Sequence, residues 1–278
     1  MLATFAIFLR EGIEASMIVS VIMAYLKKTG QQDGVRAVKL GIIAALGTAL
    51  VAGVIIYETI HTYAGTHTQT IIETFSYAVA VVFLTYMTFW MTKHSKDIPK
   101  ALASKVAEAQ GKQRREGSLA LFIVTFQAVA RESLEAMVFT LAIVLANGTA
   151  GPEVGAALGV AATLVFAISV YRFGKRINLS LAFRTLGAAL MVFSAALIVD
   201  MIENLQQLGW IKILSHPLWN TSAYLNESSN IGDIAHTLLG YAAQPTALEL
   251  IAYALYLTVG VATFIQLTKP KASKRLSS

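Results

Sequence analysis

Two short charged runs interrupt a chain that is otherwise strongly apolar. Arg10-Glu11-Gly12-Ile13-Glu14 and Arg131-Glu132-Ser133-Leu134-Glu135 each set one arginine and two carboxylates inside hydrophobic sequence. On a helix, residues three and four apart share a face, so Glu11 and Glu14 point the same way and Arg10 reaches Glu14. Glu132, Glu135 and Arg131 repeat the arrangement. Four carboxylates against two arginines leave two negative charges over, which favours a bound cation or shared protons. Carboxylate oxygens suit hard cations, and two Glu-x-x-Glu faces meeting antiparallel supply about four to six of the oxygens that such an ion takes. The other reading is an ion-pair network that locks the two helices together. No histidine accompanies either run, so the Glu-x-x-His pattern of di-iron oxidase bundles is missing.

The elements that must carry these groups follow from composition. Of 278 residues 56% are hydrophobic and 14% charged, with mean hydropathy +0.62, which excludes an ordinary water-soluble domain. Without cysteine there is no disulfide framework and no thiolate metal site. Met1-Leu2-Ala3-Thr4-Phe5 lacks the basic start of a cleavable signal, so the first apolar segment is expected to stay in the mature protein. A spanning helix takes about 20 apolar residues. Seven stretches qualify: residues 2–26, 38–58, 70–92, 118–146, 153–173, 181–203 and 246–268. The expected fold is thus an all-α integral membrane protein of seven transmembrane helices, one transporter domain over residues 1–278. Six charged groups facing lipid would cost on the order of 15 kcal/mol, so the clusters must face the bundle interior.

Basic residues set the orientation, because cytoplasmic loops carry the positive excess. Loops 27–39, 93–115 and 172–184 with the tail 269–275 hold 19 of the 22 Lys and Arg, and the opposite side holds only Lys212. The N-terminus is therefore expected outside and the C-terminus inside. Eight acidic residues fall on the outer side, leaving it at −7, the inner side at +15 and the two clusters at −2. An acidic outer face concentrates cations, and topology explains the basic inner face without nucleic acid. The clusters recur at an offset of 121 residues, with three spans between them. Helices 1 and 4 then enter from opposite sides, and residues 1–92 and 118–203 read as inverted three-helix repeats, an arrangement that places a substrate site near the bilayer midplane. An outer segment, 204–245, and a seventh helix, 246–268, complete the chain.

Further candidates lie along an outer approach path: Glu58, Glu73, Asp200, Glu203, Asp233 and His236. Together they read as an electrostatic funnel, with Glu73 a relay ligand and His236, three residues from Asp233, a capture ligand; singly, each also reads as an ordinary solvated helix end or loop residue. The outer segment is long enough for short helices of its own or for docking an extracytoplasmic partner. Residues 100–113 read as a short basic helix on anionic lipid. Tyr86, Phe89 and Trp90 read as interfacial anchors, and Met17 and Met137 as core packing. No phosphate loop, nucleophile triad or dinucleotide fingerprint is present, so no enzyme activity and no ATP-driven transport by this chain alone is expected.

The two charged runs resemble the Arg-Glu-Gly-Leu-Glu signature of the oxidase-dependent iron permeases, the family of fungal high-affinity iron permeases and bacterial EfeU-type transporters. Length, seven spans and the placing of both motifs in helices 1 and 4 agree, as do Ile72-Glu73-Thr74, Leu84-Thr85-Tyr86-Met87, Gly240-Tyr241 and Gln244-Pro245. Ser133 departs from the family's usual glycine. The resemblance implies iron import across the cytoplasmic membrane, with Glu11, Glu14, Glu132 and Glu135 as ligands and Arg10 and Arg131 as balancing charges. Iron is then cargo rather than a resident cofactor, and ferric iron, a hard ion, suits four carboxylates. An extracytoplasmic oxidase or peroxidase and an iron-binding protein are the implied partners. Lead, manganese or another cation as substrate, and a metal sensor that does not transport, are the alternatives; the oligomeric state is open.

Overall fold

The computed structural model describes residues 2–29, 32–62, 65–94, 104, 108, 114–147, 152–173, 179–227 and 229–268. Eight helices are described: α1 Leu2–Thr29, α2 Gln32–Thr62, α3 His67–His94, α4 Arg114–Asn147, α5 Pro152–Phe173, α6 Leu179–Gln207, α7 Asn230–Leu239 and α8 Ala247–Thr268. Among the described residues there is no strand, only an isolated bridge between Pro217 and Thr246. Among the described residues four segments are long and apolar enough to cross a bilayer by length and hydropathy alone: Gly34–Glu58, His67–His94, Thr185–Gln207 and Ala247–Gln266. Helices α1 and α4 each carry the three charged residues of their run well inside the helix, and those charges dilute the apolar sequence around them. The short surface helix expected at 100–113 lies outside the described residues, except for Ser104 and Glu108, which are helical, as does the basic tail 269–275.

The long helices have apolar residues all round, as helices bathed in lipid must. On α2, Leu40, Ile43, Leu46, Leu50, Val54 and Ile55 are exposed, and on α8 Ile251, Leu255 and Val259 are exposed. Packing follows a paired scheme. α2 lies along α4 and α5 along α1; α3 lies along α6; α1 meets α4 directly; α3 touches α4 as α6 touches α1. Exchanging α1, α2 and α3 for α4, α5 and α6 maps this set of contacts onto itself.

Close approach between α1 and α5 depends on small residues, the usual means by which membrane helices meet. A Cβ on Gly12 would stand 2.2 Å from the Thr163 hydroxyl, and one on Gly159 would stand 2.9 Å from the Phe5 carbonyl oxygen. At the matching position of α4, Ser133 is half-buried and lines a cavity, so a side chain has room there. The departure from the family's glycine is therefore accommodated.

One end of the bundle is closed by α7, which packs on α6 and also touches α1 and α4. Its start is capped by Ser229, whose hydroxyl oxygen accepts from Gly232 N at 3.1 Å. It stops at Gly240, in the left-handed region at φ 67°, where the Gly240 and Tyr241 amides donate back to His236 and Ala235. Thr246 and Glu249 form a reciprocal capping box that starts α8, with Thr246 N to Glu249 Oε2 3.0 Å. The segment after α6 is stitched to this corner by Leu218 N to Pro245 O, Thr221 N to Ala243 O and the Tyr241 hydroxyl to Leu225 O.

Candidate metal centre

Helices α1 and α4 cross with their charged runs facing each other. Each run is held by an i,i+4 pair. The Nε of Arg10 stands 3.3 Å from Glu14 Oε1, and Arg131 Nε donates to Glu135 Oε1 at 2.8 Å. Arg10 Nη1 also donates to Glu11 Oε1 at 3.2 Å. All four glutamates are buried.

Across the crossing, Glu11, Glu132 and Glu135 each bring a carboxylate oxygen within 4.8 Å of the others. Two oxygens bound to one hard cation at about 2.0–2.6 Å lie no more than roughly 5 Å apart, so this trio has the span of a coordination shell. Glu14 stands beside it, against Arg10. One oxygen on each glutamate of the trio is buried without a hydrogen-bond partner, Glu11 Oε2, Glu132 Oε2 and Glu135 Oε2, while Glu14 Oε1 is met by Arg10. Buried carboxylate oxygens are costly unless a donor or cation meets them. Three at one helix crossing call for a cation or for a proton shared between the carboxyl groups.

The two copies differ in the surroundings of their arginines. The Arg10 side chain is 2% exposed and that of Arg131 is 44% exposed. Arg131 instead leans on α3, where its Nη2 donates to Met87 Sδ at 2.9 Å and its guanidinium lies 5.2 Å from the centre of the Trp90 ring. Trp90 in turn stacks on His94 at 5.1 Å. Met87 and Trp90 are thus part of the surround of the site, which the sequence reading of α3 as an interfacial anchor missed. Their spacing of three, which puts both on one face of α3, was the available clue.

A cavity of about 870 Å³ opens between α1, α2, α4 and α5. Its walls are aliphatic, and its charged lining residues are Glu11 and Glu132, accompanied by Ser133, Thr140 and Thr163. Ser133 therefore sits beside the carboxylates.

Residues 1–274 match the family described as "Iron permease FTR1 family". The chain belongs to this iron permease family. It is 31% identical over 265 residues to "Ferrous iron permease EfeU" of Escherichia coli O6:K15:H31 (strain 536 / UPEC), covering 95% of each chain. The like-named protein of Yersinia pestis is 31% identical over 264 residues, covering 95% of this chain and 93% of the relative. No solved structure matches the chain. Its relatives are named permeases, and its apolar helices make this permease family member an integral membrane protein.

The remaining expected residues of the permease gather unevenly around α7. Asp200, buried on α6, faces His236 of α7, with Nε2 to Oδ1 3.4 Å. His236 therefore turns to Asp200 rather than to Asp233, which is exposed in the first turn of α7. Glu203, three residues after Asp200, is exposed and accepts from Gln207 at 3.0 Å. Glu73 is half-buried and accepts from Gln69 at 2.7 Å. Glu58 is exposed near the end of α2, well placed for solvent.

His236 Nδ1 stands 2.8 Å from the Tyr241 carbonyl, so Nδ1 carries a proton and donates. Its Nε2 then faces a carboxylate, an arrangement stable only when Nε2 is protonated too. Burial works against that charge, but Asp200 and the Tyr241 carbonyl, helped by Glu227 and Glu203, outweigh it and raise the imidazole above its ordinary pKa. A raised folded pKa stabilises docking of α7 fully below the unfolded value of about 6.5, and this contribution is lost as pH rises through the folded value. Hydrogen exchange of the 230–239 amides, corrected for intrinsic rate, is expected to quicken across that window in the wild type and to be pH-independent in His236→Asn. Equal protection across the window in the wild type would remove the latch.

Proposed function

We propose that the chain imports iron through a carboxylate cage between α1 and α4, with Glu11, Glu14, Glu132 and Glu135 as ligands and Arg10 and Arg131 as balancing charges. The observation that carries this is the trio of buried oxygens from both copies within 4.8 Å, backed by an unpartnered oxygen on each glutamate of the trio. Family membership supports iron as the cargo.

The reading includes seven spans, α1 to α6 and α8, with the N-terminus outside and the C-terminus inside. The first six form two inverted three-helix repeats, a reading supported by the packing scheme that survives exchange of α1, α2 and α3 for α4, α5 and α6. Access alternates by movement of one repeat against the other. Glu73, Asp200, Glu203, Glu58, Asp233 and His236 supply the outer approach, with α7 as its cover. An extracytoplasmic oxidase or peroxidase and an iron-binding protein are the proposed partners, and the cytoplasmic membrane the proposed location.

The oxidation state has two readings. An all-carboxylate donor set suits the harder ferric ion. The charge count favours the ferrous ion, since four ionised glutamates and two arginines sum to −2 and one divalent ion neutralises them; the relatives' printed name agrees. The deciding experiment is flux into liposomes containing only this protein, with ferrous iron under reductant and chelated ferric iron supplied separately, and with lead, manganese and zinc as competitors. Accumulation of either iron species supports import and identifies the ion. Uptake of a competitor in preference to iron changes the cargo, and accumulation of any metal rejects the reading of the chain as a sensor that does not transport.

A further inference from the structure

The cavity between α1, α2, α4 and α5 is much larger than a metal ion needs, and little of its wall is polar. Glu11 and Glu132 line it, yet they are only 3% and 5% exposed, and the unpartnered oxygen on each is buried. Most of what faces the space is aliphatic, with Leu46, Leu50, Val54, Leu141, Val160 and Leu164 among the lining. A hydrated hard cation exchanges its water for oxygen ligands, and walls of this kind supply few.

The length of the cavity follows from helix register. α2 and α4 run parallel, because Gly41 lies against Thr125, Ala45 clusters with Val129 and Gly53 faces Met137. The lining of α2, from Leu46 to Tyr57, therefore begins near the level of Glu132 and ends near Leu141. Eleven residue steps separate Leu46 from Tyr57, about 16 Å of helix, and one leaflet of bilayer hydrocarbon is about 15 Å deep. The side of the cavity is open. α2 leans on α4 and α5 on α1, and Leu46, Leu50, Val54, Val160 and Leu164 are exposed at the gap between them. On α2 these residues continue the face of Leu40 and Ile43 that meets lipid.

We propose that the acyl chain of a bilayer lipid lies in this cavity and forms the hydrocarbon wall of the carboxylate cage. The cavity is continuous with the lipid-facing surface, so hydrocarbon is the medium at its mouth. An empty space there would leave its walls without van der Waals partners. Its volume of about 870 Å³ falls within the range of about 300–1,000 Å³ that small-molecule sites occupy. A chain packed against Glu11 and Glu132 keeps water from the sides they turn to the cavity and leaves their oxygens to the crossing of α1 and α4. The wall role rests on the cage reading above, and assignment of the chain to the outer leaflet rests on the proposed orientation; occupancy of the cavity rests on neither.

The test reconstitutes the full chain in phosphatidylcholine liposomes doped with a phosphatidylcholine that carries a diazirine near the end of one tail. After irradiation, mass spectrometry maps the labelled residues. Label on residues 46–57 of α2 and 129–144 of α4 is expected at about threefold or more the level on α8, because a cavity surrounds its ligand and a flat face touches one side of it. On α8, Ile251, Leu255 and Val259 are exposed and line no part of the cavity, so they report ordinary lipid contact. Gly53→Trp fills the space from within, since a side chain there first meets Met137, at 3.4 Å. Leu50→Trp covers the exposed mouth without entering the packed interior. Both are expected to bring the cavity label down to the α8 level while α8 keeps its own. Equal label on α8 and the cavity lining in the wild type, or cavity label untouched by both variants, would overturn the proposal. So would a dimer cross-linked through α2 or α5, which would make a second copy the cover. Failure of the cage shows separately, as iron flux that survives Glu11→Gln and Glu132→Gln, and a reversed orientation changes the leaflet but not the residues labelled.

Discussion

Replacing Glu11, Glu132 or Glu135 by glutamine is expected to bring iron uptake to background while the protein still reaches the membrane. Each change removes an anionic ligand from the trio that spans 4.8 Å. Losing a partner that only orients a ligand costs about ten- to a hundredfold in metal affinity, so losing a ligand costs at least that. Folding should not suffer, because the cage goes from −2 to −1 and loses like-charge repulsion. Glu14 is expected to rank below the other three, since it stands outside the trio with one oxygen 3.3 Å from Arg10 Nε. Radioactive iron uptake in whole cells, normalised to protein in the membrane fraction, gives the order. Wild-type uptake in the three trio variants would remove the site.

Arg10→Met and Arg131→Met are expected to part company, although the two residues occupy the same place in the repeat. Arg10 is 2% exposed and contacts Glu11 and Glu14; without it, buried carboxylates lose their counter-charge. Breaking a buried pair from one side costs about 3–5 kcal/mol, a large share of a membrane protein's stability, so Arg10→Met should fail to accumulate. Adding Glu11→Gln to it restores the charge balance and should recover part of the yield. Arg131, 44% exposed, is screened and can be lost with much less effect on folding. Its removal frees Glu135 and empties the face of Trp90, so transport rather than yield should change. Membrane-fraction yield and unfolding temperature in detergent measure both effects. Equal loss in the two variants would mean that the difference in burial does not govern them.

Much of the centre is legible before any folding is considered. Arginine and two glutamates at i, i+1 and i+4 in apolar sequence cannot face lipid, so the pairing of α1 with α4 follows from the cost of charge in hydrocarbon. Each expected span falls on a described helix, four of which hold a segment long and apolar enough to cross a bilayer, and α2 and α4 start several residues earlier than hydropathy suggests, because Gln32-Asp33 and Arg114-Arg115-Glu116 continue a helix without being apolar. Glu73 and Glu203 were named for charge alone, and charge alone does not tell a half-buried Glu73 from an exposed Glu203.

By itself the sequence determined which groups had to leave the lipid, which helices carry them, and that the pattern occurs twice. Those are properties of single helices: length, periodicity and the solvation energy of each side chain. The tertiary structure decided the rest. It set Glu11, Glu132 and Glu135 together and Glu14 aside, buried Arg10 while giving Arg131 to Met87 and Trp90, and turned His236 to Asp200 instead of Asp233. It required glycine at Gly12, under Thr163, and gave Ser133 room beside the cavity. Each of these depends on how closely two helices far apart in the chain approach, and that distance is fixed by packing across the bundle rather than by any local run of residues.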